Sequence, residues 1–220
     1  RREGTLQQGR LQTGVTVPSD LIRRLSGLDI YLFDQLLRGR IPRDARILDA
    51  GCGGGRNIRY LLDAGYDVAA VDAEAGSVEA VRRLAAELNP ALAPSNFREE
   101  SVEALSFDDA SMDVVISIAV LHFARDDAQF EAMLSAMWRV LEPGGLFFCR
   151  LASNIGMERR MVPRGGRRNL MPDGSERYLV DEALLLDWTR RLGGRLLDPL
   201  KTTIVQDQRC MTTWVLRKEA

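Results

Sequence analysis

The sequence predicts an α/β fold, a mostly parallel sheet with helices on both faces. Three observations predict it. Short apolar runs alternate with stretches of helical periodicity along most of the chain. A glycine-bearing junction, ILDAGCGGGRN at 47–57, joins the first such run to a helical stretch. Two closing apolar runs, 195–207 and 209–217, are separated by too few residues for a parallel crossover and so read as an antiparallel pair.

The elements follow in order. LDIYLFDQLLRG (28–39) has apolar residues at i, i+3 and i+4 and ends at Gly39 before Pro42, which makes it a helix covering the sheet. ARILDA (45–50) is the first strand, and after the glycine loop NIRYLLDAG (57–65) is a helix stopped by Gly65. YDVAAVD (66–72) has the continuous apolar character of a strand buried on both faces. SVEAVRRLAAELN (77–89) is a helix with Ser77 as N-cap and Pro90 beyond its end, and a weak strand lies near NFRE (96–99).

MDVVISIA (112–119) is the fourth strand, and 127–145 is a helix whose apolar set keeps a 3.6 period up to Pro143 and Gly144. LFFCRLA (146–152) is the fifth strand. After an Arg-, Gly- and Pro-rich loop comes a helix near 181–192, then the closing pair. At 220 residues this is most simply one domain, able to bury roughly 70% of its unfolded surface. The domain is expected over 21–220, with residues 1–20 as a flexible arm.

Composition narrows the function classes. Lys plus Arg (30) nearly balance Asp plus Glu (31), so no general attraction draws the chain to nucleic acid. No run reaches the roughly 18 apolar residues of a membrane span, and the polar opening has no signal-peptide core, so a cytoplasmic location is expected. Cys52, Cys149 and Cys210 are far apart and His122 is the single histidine, which disfavours a structural zinc site; no metal is expected.

The glycine loop fits neither phosphate-binding pattern. A dinucleotide fingerprint starting at Gly51 meets Arg56 where glycine is needed, and one starting at Gly53 meets Ile58. A phosphate loop ends Gly-Lys-Ser or Gly-Lys-Thr; this one ends Gly-Arg-Asn. What remains is G-x-G-x-G after an acid, Asp49, whose carboxylate would repel a diphosphate but can position a cation. A second acid, Asp72, lies 17 residues after Gly55 at the end of the next strand, where a carboxylate can accept both hydroxyls of a ribose. The ligand so described has a ribose, a neighbouring cationic group and no phosphate.

ILDAGCGGGRN with VDA resembles the cofactor site of class I S-adenosylmethionine-dependent methyltransferases. The resemblance spans roughly residues 28–217 and implies a Rossmann-like three-layer sandwich with a seven-stranded sheet and a reversed last strand. It further implies S-adenosyl-L-methionine as cofactor and S-adenosyl-L-homocysteine as product. On that pattern Gly51, Gly53 and Gly55 line the methionine part, beside Asp49, Cys52 and Asn57. Asp72 holds the ribose and Ala73 lies by the adenine, with Ile118 also at the cofactor. ESVEALSFDDASMDVVIS is similar to a later motif of the family and puts Ser101 and Val102 at the adenine. Many members carry Asp where this chain has Ser101, which passes the adenine amino contact to Glu100 or to a backbone group. GCGGGRN, YLLDAGYDVAAVD and VLHF are also similar, more softly, to tellurite-resistance and thiopurine-type methyltransferases.

Methyl transfer needs alignment of the acceptor and exclusion of water more than it needs side-chain chemistry, so catalytic residues are weakly marked. His122, after the fourth strand, reads either as a substrate-contacting base or as a packed loop histidine. Tyr31 reads as a residue closing over the methionine end or as core. In 150–178, Arg150, Arg164 and Arg167 read as anion-binding residues of a substrate lid, or the segment as a solvated loop. A nucleic-acid methyltransferase would show a Pro-Cys or an N-P-P-Y-like run where this chain has SIAVLHF, so a small-molecule substrate is expected, with no nucleic acid and no membrane. A non-catalytic cofactor-binding module of the same fold is the remaining alternative.

Overall fold

The computed structural model describes residues 19–219. Most of the expected N-terminal arm, residues 1–18, lies outside them. Helices α1 (Ser19–Leu25) and α2 (Ile30–Leu37) precede the sheet. The Asp29 carboxylate starts α2 by accepting from the amides of Tyr31 and Leu32 at 2.9 and 3.3 Å. Then follow β1 (Arg46–Ala50), α3 (Arg59–Asp63), β2 (Asp67–Asp72), α4 (Ala75–Leu88), β3 (Phe97–Glu99), β4 (Met112–Ile118), α5 (Asp127–Val140) and β5 (Leu141–Ala152). The remainder is β6 (Val162–Gly165), β7 (Arg168–Leu170), β8 (Glu176–Tyr178), α6 (Glu182–Arg191), β9 (Gly194–Leu196), β10 (Lys201–Val205) and β11 (Arg209–Lys218).

The large sheet runs β10-β11-β5-β4-β1-β2-β3, seven positions across. β11 is antiparallel to β5 and is the reversed strand that the family resemblance implied. Strand periodicity builds the three layers, because alternate residues of each buried strand face opposite ways. Leu48, Ala69, Val115, Phe147 and Trp214 share one core with α5 and α6. Ile47, Val68, Val114, Phe148 and Val215 share the other with α2, α3 and α4.

Four expectations change. The run 195–207 divides into β9 and β10, both paired with β11, because Pro199 cannot donate to a ladder and Asp198 is drawn to Arg40 at 2.8 Å. Ser77 is not an N-cap: the Glu74 amide donates to Asp72 Oδ1 at 3.0 Å and turns the chain into α4 two residues earlier. The helix expected to reach 145 stops at Val140. Leu141 is already extended, Pro143 keeps Glu142 out of the helical region, and LEPGG becomes the start of β5 across a register shift against β4. Gly145 there passes so close to the Asp113 carbonyl that a Cβ would sit 2.9 Å from it. Finally, the Arg-rich segment is not an irregular loop. It folds into a separate antiparallel sheet, β6-β7-β8, with Gly165 (φ +128°) and Gly166 (φ +52°) forming the first turn.

Candidate active site

β1 has β2 on one side and β4 on the other, so the helices that follow β1 and β4 leave on opposite faces and open a crevice at the strands' carboxyl ends. The glycine loop fills the floor of that crevice. The amides of Gly51 and Cys52 both donate to the Val71 carbonyl at 2.9 Å, stitching the loop to β2. Gly51 has φ +85°, and a Cβ there would run into the Val120 side chain. Gly55 has φ +80° and backs onto Leu84 and Val81 of α4. Both need glycine, one for its conformation beside the ligand space, the other for loop-to-helix packing.

A cavity of about 850 Å³ opens above the loop, within the usual size of a small-ligand site. Its wall includes Gly51, Cys52, Gly53, Asn57, Asp72 and Ala73 on one side and Ser101, Val102 and Ile118 on the other. Nine of the eleven residues expected at the cofactor therefore come together. Gly55 is not among them, because it faces α4 instead of the cavity. Asp49 is 1% exposed and lies behind the lining, with Oδ2 buried and unpaired. Burial, with Asp72 nearby, pushes its carboxyl up to about 7, while Arg56 pulls the other way. A cation entering the cavity would draw that proton off, which suits a positively charged ligand.

Asp72 Oδ2 accepts from the Gly53 amide at 2.8 Å and Oδ1 from Glu74. Each oxygen keeps a lone pair, so two hydroxyls can still be accepted. Glu100, expected to take over from Ser101, is turned away from the cavity. Its carboxylate is taken by the Ser106 amide and hydroxyl, and it is absent from the cavity lining. Glu103 and Gln129, which no sequence pattern marked, line the cavity with Ser101 and Val102 instead, Gln129 Nε2 donating to Glu103 Oε1 at 2.9 Å.

A second cavity of about 410 Å³ adjoins the first, and Arg56, Ala119 and Phe123 belong to both walls. Ala119 has φ +62°, a left-handed conformation unusual for alanine, and its amide donates to the Arg150 carbonyl at 2.8 Å. This turn carries Val120 to Phe123 across the junction of the two spaces. His122 and Arg150 line the second cavity with Arg177, Arg209, Asp173, Met171 and Met211. Tyr31, Arg164 and Arg167 belong to neither lining. Tyr31 OH instead bonds Thr203 Oγ1 at 2.8 Å, with the Arg150 guanidinium 5.3 Å over its ring; Arg167 pairs with Asp181 at 2.8 Å, and Arg164 is exposed on β6.

The imidazole of His122 is 5% exposed, and its Nδ1 accepts from the Ala152 amide at 3.1 Å. The ring proton of the neutral form therefore sits on Nε2, making His122 a hydrogen-bond donor rather than a base. Burial, then the Arg177 charge, push its pKa down to about 4. Between that value and the ordinary 6.5 the unfolded chain binds the extra proton, so stability falls as pH drops through this window. At about 1.4 kcal/mol per pKa unit, roughly 3 kcal/mol is at stake. Denaturant titrations of the wild type and His122→Gln should thus show their stability difference shrinking by about that much from pH 7 to pH 4; a constant difference would mean the histidine titrates normally.

A glycine-floored cavity with an acid in its wall and a buried carboxylate behind it, at the switch point of a parallel sheet, defines a small-ligand-binding α/β protein. The comparisons specify the family. Residues 48–149 match a family model described as "Methyltransferase domain". A ubiquinone biosynthesis O-methyltransferase of Chelativorans sp. is 30% identical over 182 residues, covering 74% of this chain and 68% of that protein. A malonyl-[acyl-carrier protein] O-methyltransferase of Enterobacter lignolyticus is 34% identical over 131 residues, 58% of this chain and 48% of that one. The fold is similar to that of the Burkholderia thailandensis 1,6-didemethyltoxoflavin-N1-methyltransferase, solved with 1,6-didemethyltoxoflavin and S-adenosylhomocysteine. The TM-score is 0.67 and the identity 21%, over 91% of this chain and 82% of the other. This chain belongs to the class I S-adenosylmethionine-dependent methyltransferases, an enzyme family whose cofactor is S-adenosylmethionine. Among the described residues no helix is long and apolar enough to cross a membrane.

Proposed function

We propose that the chain methylates oxygen on a small-molecule acceptor, with the larger cavity for the cofactor and the smaller one for the acceptor. The observation that carries this reading is the shared wall: two cavities of different character meet at Arg56, Ala119 and Phe123. The O-methyltransferase relatives support the choice of oxygen.

The residues present fit S-adenosylmethionine. Asp72 supplies acceptors for the ribose hydroxyls, Val102, Ile118 and Met133 an apolar slot for the adenine, and the unpaired carboxylate of Asp49 a negative charge behind the loop. When bound, the cofactor provides an electrophilic methyl group. The chain's own work is alignment and shielding. Gly51 and Gly53 let the main chain lie against the ligand, and the turn at Ala119 sets Val120 and Phe123 between the two spaces. His122 offers its Nε2 proton to an acceptor oxygen.

Incubation with methyl-labelled S-adenosylmethionine and a pool of small phenols, carboxylic acids and thiols tests the reading. Tellurite belongs in that pool, because the softer family resemblance points to chalcogen and thiol acceptors. Label should pass to an oxygen acceptor with one S-adenosylhomocysteine released per methyl. Label only on sulfur or tellurium would replace oxygen as the accepting atom, and no transfer by cofactor-saturated protein would count against the reading as a whole.

A further inference from the structure

We infer that the accepting oxygen enters the smaller cavity already ionised, as a carboxylate or an acidic phenolate, held by Arg177 and Arg209 without any general base. The inference rests on the methyltransferase reading and specifies its substrate class.

Charge is the first observation. Four arginines, Arg56, Arg150, Arg177 and Arg209, line this cavity against one carboxylate, Asp173. Arg150 is answered by Asp29, which accepts from its Nη1 at 2.8 Å. Asp173 Oδ1 is committed to Ser175, accepting from its amide at 2.9 Å and its hydroxyl at 2.6 Å. Among the described residues, no carboxylate pairs with Arg56, Arg177 or Arg209 within 4.0 Å, so the space keeps a surplus of positive charge. Arg177 is also held in place. Its guanidinium lies 4.8 Å over the Phe123 ring, and Nη1 donates to the Glu176 carbonyl at 2.8 Å. A stacked guanidinium with donors to spare is preorganised for a carboxylate or phenolate.

The absence of a base is the second. His122 has its Nδ1 lone pair taken by the Ala152 amide, and its other nitrogen carries the proton. Asp173 is held in its ionised form by Ser175 and by the two arginines, which makes it a poor proton acceptor. A neutral alcohol would therefore have nowhere in this cavity to leave its proton. An ionised oxygen needs none: its lone pair forms the C–O bond as the C–S bond breaks, the bonding pair stays on sulfur, and both charges are neutralised without proton transfer. The apolar residues Met171, Met211 and Val205 leave room for a hydrophobic body behind the charged head.

The test uses the full chain, calorimetry with S-adenosylhomocysteine, and matched acceptors: benzoate and 4-nitrophenol against benzamide and benzyl alcohol. The anionic pair should be methylated and the neutral pair not; the benzoate rate should stay flat between pH 6 and 8, while the 4-nitrophenol rate should follow the ionisation of its own hydroxyl and nothing else. Arg177→Gln with Arg209→Gln should lower kcat/KM for the anionic acceptors by about 30-fold or more, as expected for losing charge-assisted hydrogen bonds, while S-adenosylhomocysteine affinity stays within twofold. Faster methylation of the neutral pair, methylation of neither pair by protein that binds S-adenosylhomocysteine, or a double variant that keeps its kcat/KM would overturn the inference. Failure to bind S-adenosylhomocysteine would instead overturn the cofactor assignment beneath it.

Discussion

Asp72→Ala should weaken S-adenosylhomocysteine binding by 100-fold or more in a calorimetric titration. Two hydroxyl donors lose a carboxylate, and hydrogen bonds to a charged group contribute about 1.5–3 kcal/mol each. The Gly53 amide loses its acceptor as well, so the loop that floors the cavity is less firmly held. The protein itself should stay folded. Asp72 is one of the charges that raise the Asp49 carboxyl, and its removal relieves a repulsion in the apo state. A folded protein that loses no more than about 2 kcal/mol, the size of a lost helix-start hydrogen bond, together with lost affinity would separate a ligand contact from a folding defect. Asp72→Asn should fall between, since one oxygen still accepts. Wild-type affinity in Asp72→Ala would remove Asp72 from the ribose site.

Gly51→Ala should cost about 3 kcal/mol of stability and abolish detectable cofactor binding. A left-handed backbone costs an alanine about 1–2 kcal/mol, and the added Cβ meets Val120, which must shift into the cavity mouth. Gly53→Ala is the control. Gly53 has φ +50° but nothing within 4 Å of an added Cβ, so only the conformational cost of about 1 kcal/mol is expected there. Equal destabilisation by both substitutions in guanidinium titrations would mean that Val120 is free to move aside, and that the close approach at Gly51 does not matter.

The contrast between those two glycines also marks how far the sequence can be read. Spacing set Gly51, Gly53 and Asp72 in one site, because a strand, a tight turn and the next strand's end are joined by a short stretch of chain with few ways to fold, whereas Gly55 turned out to pack the loop onto α4. The alternating burial of β1, β2, β4 and β5 was legible for the same reason: each strand carries its own apolar run. What the sequence did not disclose depends on chain brought in from afar. Arg177 on β8 and Arg209 on β11 meet in one cavity only through the small β6-β7-β8 sheet and the closing strand pair, whereas the more conspicuous Arg164 and Arg167 point elsewhere. The role of His122 is set by the Ala152 amide on β5, which no local pattern around AVLHF reveals. Glu100 stands one residue from the cavity-lining Ser101, but its capture by Ser106 turns it away from the cavity. The end of α5 was misread because Pro143 and Gly144 look like a helix stop, while the chain had already turned extended at Leu141 to pair with β4.

The cavity above the glycine loop should hold S-adenosylmethionine with its ribose on Asp72. A crystal structure of the chain grown with S-adenosylhomocysteine tests it most directly. Ligand density is expected in the cavity of about 850 Å³, with both ribose hydroxyls within hydrogen-bond distance of the Asp72 carboxylate, the adenine between Val102 and Ile118, and the homocysteine end over Gly51. Density elsewhere in the molecule, or a cavity that stays empty at saturating ligand, would contradict it.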